Sequence, residues 1–425
     1  MEITARHRQL QWQILLTTYF AYVGYYLIRK VYGIVKTSLV EEFHWTLQDT
    51  AHIWTAYLVA YAVGQFMNGF IGRKIGPKYL ILAGLGISMG CTVVFGMTNS
   101  YATFMLFMII NGLAQASGWP GVVGGIAHWL APKERGSIMG IWSSSYLVGN
   151  MLVKWIGAYF LAHMGWRYAF LGMTALTLII WIAVLLFQKD KPEDAGLAPI
   201  IAPEDEEKEA IVHEATAERI TFKDYLNLAA SPAILLMGAS YFCVKFLRYA
   251  LDSWLPAFLS LQGMGKAEAA VASSYFDGAG IVGAIVAGFL LGRVFNNNWV
   301  RVCLIMGIGC VLSYGAVIYF GTSPTMIAIL FGSVGFMLYG PDTIICGAAA
   351  VTVAGERNAL AAAGLINALG SIGPIVQEEV IGFLVDKDHP EVSLQNTNYL
   401  FLFVSALFVV LLLVQTYLYR KRTEA

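Results

Sequence analysis

The chain has 425 residues, 58% of them hydrophobic and 13% charged, with a mean hydropathy of +0.64. That composition falls outside the range of soluble globular domains, and the formal net charge of zero masks an uneven distribution of basic residues. Apolar runs close to the ~20 residues that cross ~30 Å of hydrocarbon recur along the chain. They cover roughly 13–35, 50–72, 78–97, 101–129, 137–162, 166–187, 231–260, 268–292, 299–320, 324–352, 358–385 and 396–419. These runs predict an all-α membrane protein with twelve transmembrane helices.

Basic residues gather in alternate loops: Arg6 and Arg8, then Arg73, Lys74 and Lys78, then Lys133 and Arg135, and finally Arg420, Lys421 and Arg422. The positive-inside rule makes that side cytoplasmic and puts both termini there. Glu41, Glu42 and Asp49 fit the opposite face. No cleavable signal is expected, because the N-terminus lacks a separate short apolar core followed by a small-residue cleavage site. Cys91, Cys243, Cys303, Cys310 and Cys346 sit inside apolar runs at no metal or redox spacing, so they read as packing residues. Neither a cofactor nor a metal is expected.

In the first run, Tyr22, Tyr25, Tyr26 and Arg29 recur at i, i+3, i+4 and i+7 and so share one helical face. Membrane tyrosines are commonly interfacial or packing residues. An arginine on the same face favours a polar cavity, since an ionisable residue inside a span is a functional-site hypothesis by default. Lys30 lies about 100° further round the helix. The second run contributes Tyr57, Tyr61 and Gln65 at a spacing of four, followed by a basic, glycine-rich turn over 69–78.

The fourth run carries Asn111, Gln115, Trp119 and Pro120 among glycines, which predicts a bend and close helix approach. Trp119, in mid-run, is either a ligand wall or a packing residue; His128, near the cytoplasmic end, is not assigned to the site. The fifth run brings Trp142, three serines and Tyr146, and leaves Lys154 open between snorkelling and the site. Residues 189–226 form the one long polar stretch, with Pro192, Pro203 and the acidic run 204–207, and read as a mobile cytoplasmic linker with solvated charges.

Lys245, Arg248 and Asp252 share a face of the seventh run, where an internal salt bridge from Asp252 is the alternative to a ligand site. Asp277 in the eighth run is a buried carboxylate that needs a cationic partner, with Arg248 or Lys245 the candidates. Tyr339, Asp342 and Thr343 surround Gly340-Pro341 in the tenth run, and Asn367, Ser371 and Pro374 follow in the eleventh.

Several of these features recur at a nearly fixed offset. Arg248 follows Arg29 by 219 positions, and Gly288 follows Gly69 by the same distance. Gly118-Trp119-Pro120 returns as Tyr339-Gly340-Pro341, and the Glu134-Arg135 pair as Glu356-Arg357. The pattern predicts two copies, 1–188 and 228–425, joined by 189–227. One buried arginine in the first helix of each copy suggests a central site for a doubly charged anion.

Two six-helix halves joined by such a linker resemble the major facilitator superfamily. The local motifs are similar to its organophosphate:phosphate antiporter family, which includes glycerol-3-phosphate, hexose-phosphate and glucose-6-phosphate transporters. Tyr25-Tyr26-Leu27-Ile28-Arg29-Lys30 resembles the family's first-helix motif, and Arg248-Tyr249 with Trp254 and Pro256 its seventh. Gly112-Leu-Ala-Gln-Ala-Ser-Gly-Trp-Pro resembles the fourth helix, especially in the glucose-6-phosphate branch. Asp277-Gly-Ala-Gly-Ile stands where relatives carry an acidic residue, and Pro192-Glu-Asp-Ala-Gly-Leu resembles the start of the family's linker. There are departures. Ser143 replaces a usual Asn, Tyr146 and Gln65 stand where glycerol-3-phosphate transporters carry His and Lys, Leu147 and Asn150 break the pattern, and Arg73 replaces the superfamily's loop aspartate.

The resemblance implies exchange of a sugar phosphate, with hexose 6-phosphate leading, for inorganic phosphate, without enzymatic chemistry. It implies that Arg29 and Arg248 bind the phosphate. Candidates for the sugar end are Tyr26, Tyr61, Trp119, Tyr146, Lys245, Tyr339 and Asn367, with Asp277 as charge partner. The losses count against glycerol 3-phosphate. A sugar-phosphate sensor of the same fold and a carrier of a three-carbon phosphate are the alternatives. The expected surroundings are a lipid bilayer, with a bacterial inner membrane favoured, no nucleic acid, and a monomer as the superfamily default.

Overall fold

The computed structural model describes residues 4–130, 138, 142, 144–200, 228, 230–345, 349, 359–386 and 388–423, with backbone only at 66, 69–73, 127, 359–361 and 418–423. Outside the described residues lie most of the predicted fifth-run signature (Lys133, Arg135, Gly136, Ser143), the repeated Glu356-Arg357 pair, Cys346 and the acidic linker run. Among the described residues there are helices but no strand.

Helices occupy the predicted apolar runs in order. In the N-terminal part they are α1 (Ala5–Phe43), α2 (Leu47–Ile75), α3 (Pro77–Met97), α4 (Tyr101–Gln115) with α5 (Gly118–Ala127), α6 (Ser145–His163) and α7 (Trp166–Phe187). The C-terminal part holds α8 (Pro232–Leu261), α9 (Lys266–Ala272) with α10 (Ser274–Phe289), α11 (Trp299–Phe320), α12 (Pro324–Ile344), α13 (Ala359–Leu384) and α14 (Pro390–Thr423). Eight segments, counting α4–α5 and α9–α10 as one each, are long and apolar enough to cross a membrane, and α1, α2, α6 and α13 are also of spanning length. The protein is a multi-pass membrane protein.

Local chemistry sets the ends. Ser100, Ser323 and Asn298 accept hydrogen bonds from the backbone N–H three residues on, and Pro77, Pro232 and Pro324 stand in the first helical turn, where their missing N–H costs nothing. Gly165 turns the chain between α6 and α7 at φ +92°. The predicted bend in the fourth run is the break between α4 and α5, directly before Trp119-Pro120.

The chain divides into two compact units, residues 1–45 with 52–214, and residues 46–51 with 215–425. Each repeats one packing scheme. In the first, α1 packs on α6 and α7, and α3 on α4 and α7. In the second, α8 packs on α13 and α14, and α11 on α12 and α14. The helices that carry Arg29 and Arg248 thus hold equivalent places in their units, but only Arg29 is buried; Arg248, expected to be buried as well, is half-buried. Large apolar side chains such as Ile179, Ile285, Leu312 and Phe383 point outward, as a lipid-facing surface requires.

The first residues of the predicted linker are fixed rather than free. The Asp190 carboxylate accepts from the Lys78 backbone N–H at 2.9 Å, the Trp129 indole donates to Lys189 O, and His7 Nε2 is 3.0 Å from Ala198 O. At the other end of this unit, Arg167 pairs with Glu42 at 2.9 Å, and Glu42 also accepts from the Trp166 indole.

Candidate functional site

In the first unit, two glycines draw three helices around α1. A Cβ at Gly112 would lie 2.5 Å from Tyr57 O, and one at Gly149 would lie 2.7 Å from Tyr26 Cβ, so α4 reaches α2 and α6 reaches α1 only because neither has a side chain there. That closeness assembles the surroundings of Arg29. Its Nε donates to Gln115 Oε1 at 3.1 Å, and its guanidinium carbon lies 4.9 Å from the Tyr26 ring centre and 4.7 Å from that of Tyr61. Tyr61 is held in turn by a stack running through Tyr57 to Trp54.

Arg29 is only 9% exposed, yet its Nη2 has no hydrogen-bond partner among the described residues. Gln115 Nε2 and Asn111 Oδ1 are in the same condition. Ring quadrupoles offset part of the cost of a buried cation but accept no full hydrogen bond. What remains is a buried guanidinium nitrogen, Nη2, with donor capacity that no described residue takes up.

An aromatic wall continues from this point. Tyr22 lies edge-on to Tyr26 and to Trp119, and Trp119 lies edge-on to Trp142, whose indole N–H donates to Thr18. Tyr146 lies 6.0 Å from Tyr26, ring to ring. Trp119 is 40% exposed, as a wall residue would be. Tyr25 leaves the expected face: it is fully buried and bonds Ser117 and Ile81 O, because Gly118 opens room for its ring between α3 and α5. Lys154 is 2% exposed and therefore buried rather than snorkelling, whereas Gln65 is exposed.

In the second unit Arg248 has company. Its Nη1 is 2.5 Å from Asp342 Oδ2, and its guanidinium lies 4.5 Å from the Tyr339 ring centre. Asp277, expected to face Arg248 or Lys245, accepts from the Tyr339 hydroxyl at 2.9 Å, and the Tyr339 ring is the one that lies against the Arg248 guanidinium. The cause is local. A Cβ at Gly280 would lie 2.4 Å from the Tyr339 ring, so α10 offers that ring a niche and carries Asp277 to its hydroxyl end. One turn before Arg248, the Lys245 ammonium donates to Asn367 Oδ1 at 2.8 Å and to Ser371 Oγ at 2.9 Å and lies over Tyr241.

The structure therefore brings together Arg29, Tyr26, Tyr61 and Tyr146 in one unit, with Trp119 one ring further out. It brings together Arg248, Tyr339 and Asp277, and separately Lys245 and Asn367, in the other. Three participants were outside the predicted set: Gln115, Asp342 and Ser371. Their signal was helical spacing, for Asp342 follows Tyr339 by three and Ser371 follows Asn367 by four.

The sequence profile of the Major Facilitator Superfamily matches residues 18–377, and the chain belongs to that superfamily, one of transporters rather than enzymes. Its relatives bear out the likeness to the organophosphate:phosphate antiporter branch. The glycerol-3-phosphate transporter of Bacillus subtilis (strain 168) is 26% identical, over 100% of this chain and 96% of its own length. Sugar phosphate exchanger 3 of Homo sapiens is 25% identical, covering 88% and 87%. The membrane sensor protein UhpC of Escherichia coli (strain K12) is 26% identical, covering 88% and 85%. Among solved structures, a bacterial homologue of the human lysosomal transporter Spinster superposes with a TM-score of 0.72 at 16% identity over 95% of both chains. The nucleoside transporter NupG gives 0.72 at 12% identity, over 95% of this chain and 99% of its own. Both share the fold.

Proposed function

We propose that this chain is an organophosphate:phosphate antiporter that carries a sugar phosphate, hexose 6-phosphate first, in exchange for inorganic phosphate. The observation that carries the reading is the buried Arg29 fork with an unsatisfied Nη2 inside an aromatic wall. A phosphate ester carries up to about two negative charges and three acceptor oxygens near pH 7, which match planar guanidinium donors. Arg248, at the repeated position, supplies the second fork, and the halves 1–188 and 228–425 rock about the bound anion, joined by 189–227. Bound phosphate relieves the desolvated Arg29, so the loaded carrier changes face more readily than the unloaded one. That differential interaction is what couples outward to inward movement of the two phosphates. Tyr26, Tyr61, Trp119, Tyr146, Lys245, Tyr339 and Asn367 receive the sugar, whose hydroxyls suit rings with polar edges and the Lys245–Asn367–Ser371 cluster. The membrane is a bacterial inner membrane with both termini cytoplasmic.

One observation favours a second reading, a sugar-phosphate sensor: the likeness to a membrane sensor is as high as that to the transporters. The test uses purified protein in liposomes preloaded with phosphate, following entry of labelled glucose 6-phosphate, with Arg29→Lys and Arg248→Lys alongside. Uptake that requires internal phosphate and collapses in both variants is expected. Tight binding without uptake would identify the sensor, and neither binding nor uptake would redirect the search to three-carbon phosphates, glycerol 3-phosphate included.

A further inference from the structure

One cavity shares no residue with the site described above. It measures about 400 Å³ and sits at the end of the second unit where α8 and α11 finish and α12 and α14 begin. That volume falls in the range of small-molecule sites, ~300–1,000 Å³. Its floor is apolar, with Val317, Ile327 and Leu394 buried, and Thr322 and Glu391 stand exposed at its mouth. Among the described residues that line it, Glu391 is the only charged one, so the lining repels a phosphate rather than attracting it. Gln262, which ends α8, lines the same cavity. Its backbone N–H is spent on Phe258 O and Ser260 O, and its side-chain Oε1 is buried with no hydrogen-bond partner among the described residues. A buried acceptor without a donor carries a desolvation cost that a bound donor removes.

We infer that this cavity binds a primary ammonium group, which presents N–H donors to Gln262 Oε1 and a positive charge to Glu391. The lining chooses that chemistry. A neutral hydroxyl would satisfy the idle acceptor but leave the carboxylate uncompensated, and a quaternary ammonium would match the charge but bring no N–H. A protonated primary amine meets both demands. Tyr319 and Phe320, between the lining residues Ile318 and Gly321, are 82% and 67% exposed, as rings in contact with lipid are. Two sources supply an ammonium at such a place: the headgroup of an aminated lipid and a free amine in the aqueous phase. Every lining residue belongs to the second unit, so the inference stands independently of the proposed transport.

The test titrates the purified protein in detergent with four probes: phosphatidylethanolamine, phosphatidylcholine, ethanolamine and choline. Native mass spectrometry counts retained lipid, and thermal unfolding follows the soluble amines. The ethanolamine forms should bind about tenfold more tightly than their choline counterparts, the scale of a charge-assisted hydrogen bond. Glu391→Gln and Gln262→Leu should each remove most of that preference. Gln262→Leu should also leave the melting temperature of the unliganded protein unchanged or raised, because it deletes a buried acceptor, and this separates lost binding from lost folding. Saturable binding of the lipid alone would assign a headgroup site, and binding of ethanolamine as well would assign a site open to free amines; either supports the inference. Ethanolamine and choline forms that behave alike, or a preference that survives in both variants, would overturn it and leave water as the partner of Gln262.

Discussion

A guanidinium inside a membrane span carries a desolvation cost that hydrogen bonds and nearby negative charge must offset. Among the described residues Arg29 has one side-chain hydrogen bond and two ring faces, whereas Arg248 has a carboxylate, so an added anion is expected to act more strongly on Arg29. Arg29→Lys keeps the charge and loses the fork. Transport affinity should fall on the order of 10- to 100-fold, from the ~1.5–3 kcal/mol of charged hydrogen bonds, as measured by concentration-dependent uptake. Gln115→Leu should leave folding intact and weaken phosphate binding by about tenfold, because Nε of Arg29 then loses its anchor. At the start of the predicted linker, burial pushes the Asp190 carboxyl above its ordinary value, against the opposing Lys78 N–H. A carboxyl with a raised folded-state value contributes stability below its unfolded value and loses it as pH rises through the folded one. Asp190→Asn, which keeps an acceptor for Lys78, should therefore stabilise the protein near pH 7, with a gain that shrinks in melting curves as the pH falls toward 4. The arginines were legible because a cation in an apolar run stands out. The Asp342 partnership was not, since Asp342 stands on another helix and no spacing in the sequence ties it to Arg248.

At the scale of elements, glycines decide which side chains meet. Gly280 makes the niche for Tyr339, and a methyl group there has to push the ring out from beneath Arg248. Gly280→Ala should cost ~1–3 kcal/mol of stability and weaken phosphate binding as well, read by thermal unfolding with and without phosphate. Equal loss in both conditions would show that Tyr339 packs without positioning the arginine. The helical runs, the break before Trp119-Pro120 and the shared face of Tyr22, Tyr26 and Arg29 followed from hydropathy and a 3.6-residue period. Tyr25 did not, because the same period places it beside Tyr26 and only the gap at Gly118 turns it toward Ser117.

Across the whole molecule, the offset of 219 residues between the arginines recurs as one packing scheme in both units, with α1 and α8 in equivalent places. Internal duplication was readable from motifs alone. The asymmetry between the copies was not, because it lies in the partners, glutamine on one side and aspartate on the other. For the intact carrier in phosphate-loaded liposomes, removal of internal phosphate should slow glucose 6-phosphate entry severalfold or more, and restoring it should recover the rate. Entry indifferent to internal phosphate would refute coupled exchange.

The rings around Arg29 have an optical consequence. Trp119 is partly open, edge-on to Tyr22 and to Trp142, and two rings away from the arginine through Tyr22 and Tyr26. Its indole emission is therefore exposed to any change in polarity or quenching when an anion settles on the fork. The difference spectrum between the protein and its Trp119→Phe variant, titrated with phosphate, would follow occupancy directly in unlabelled protein and would separate binding from the passage that follows it.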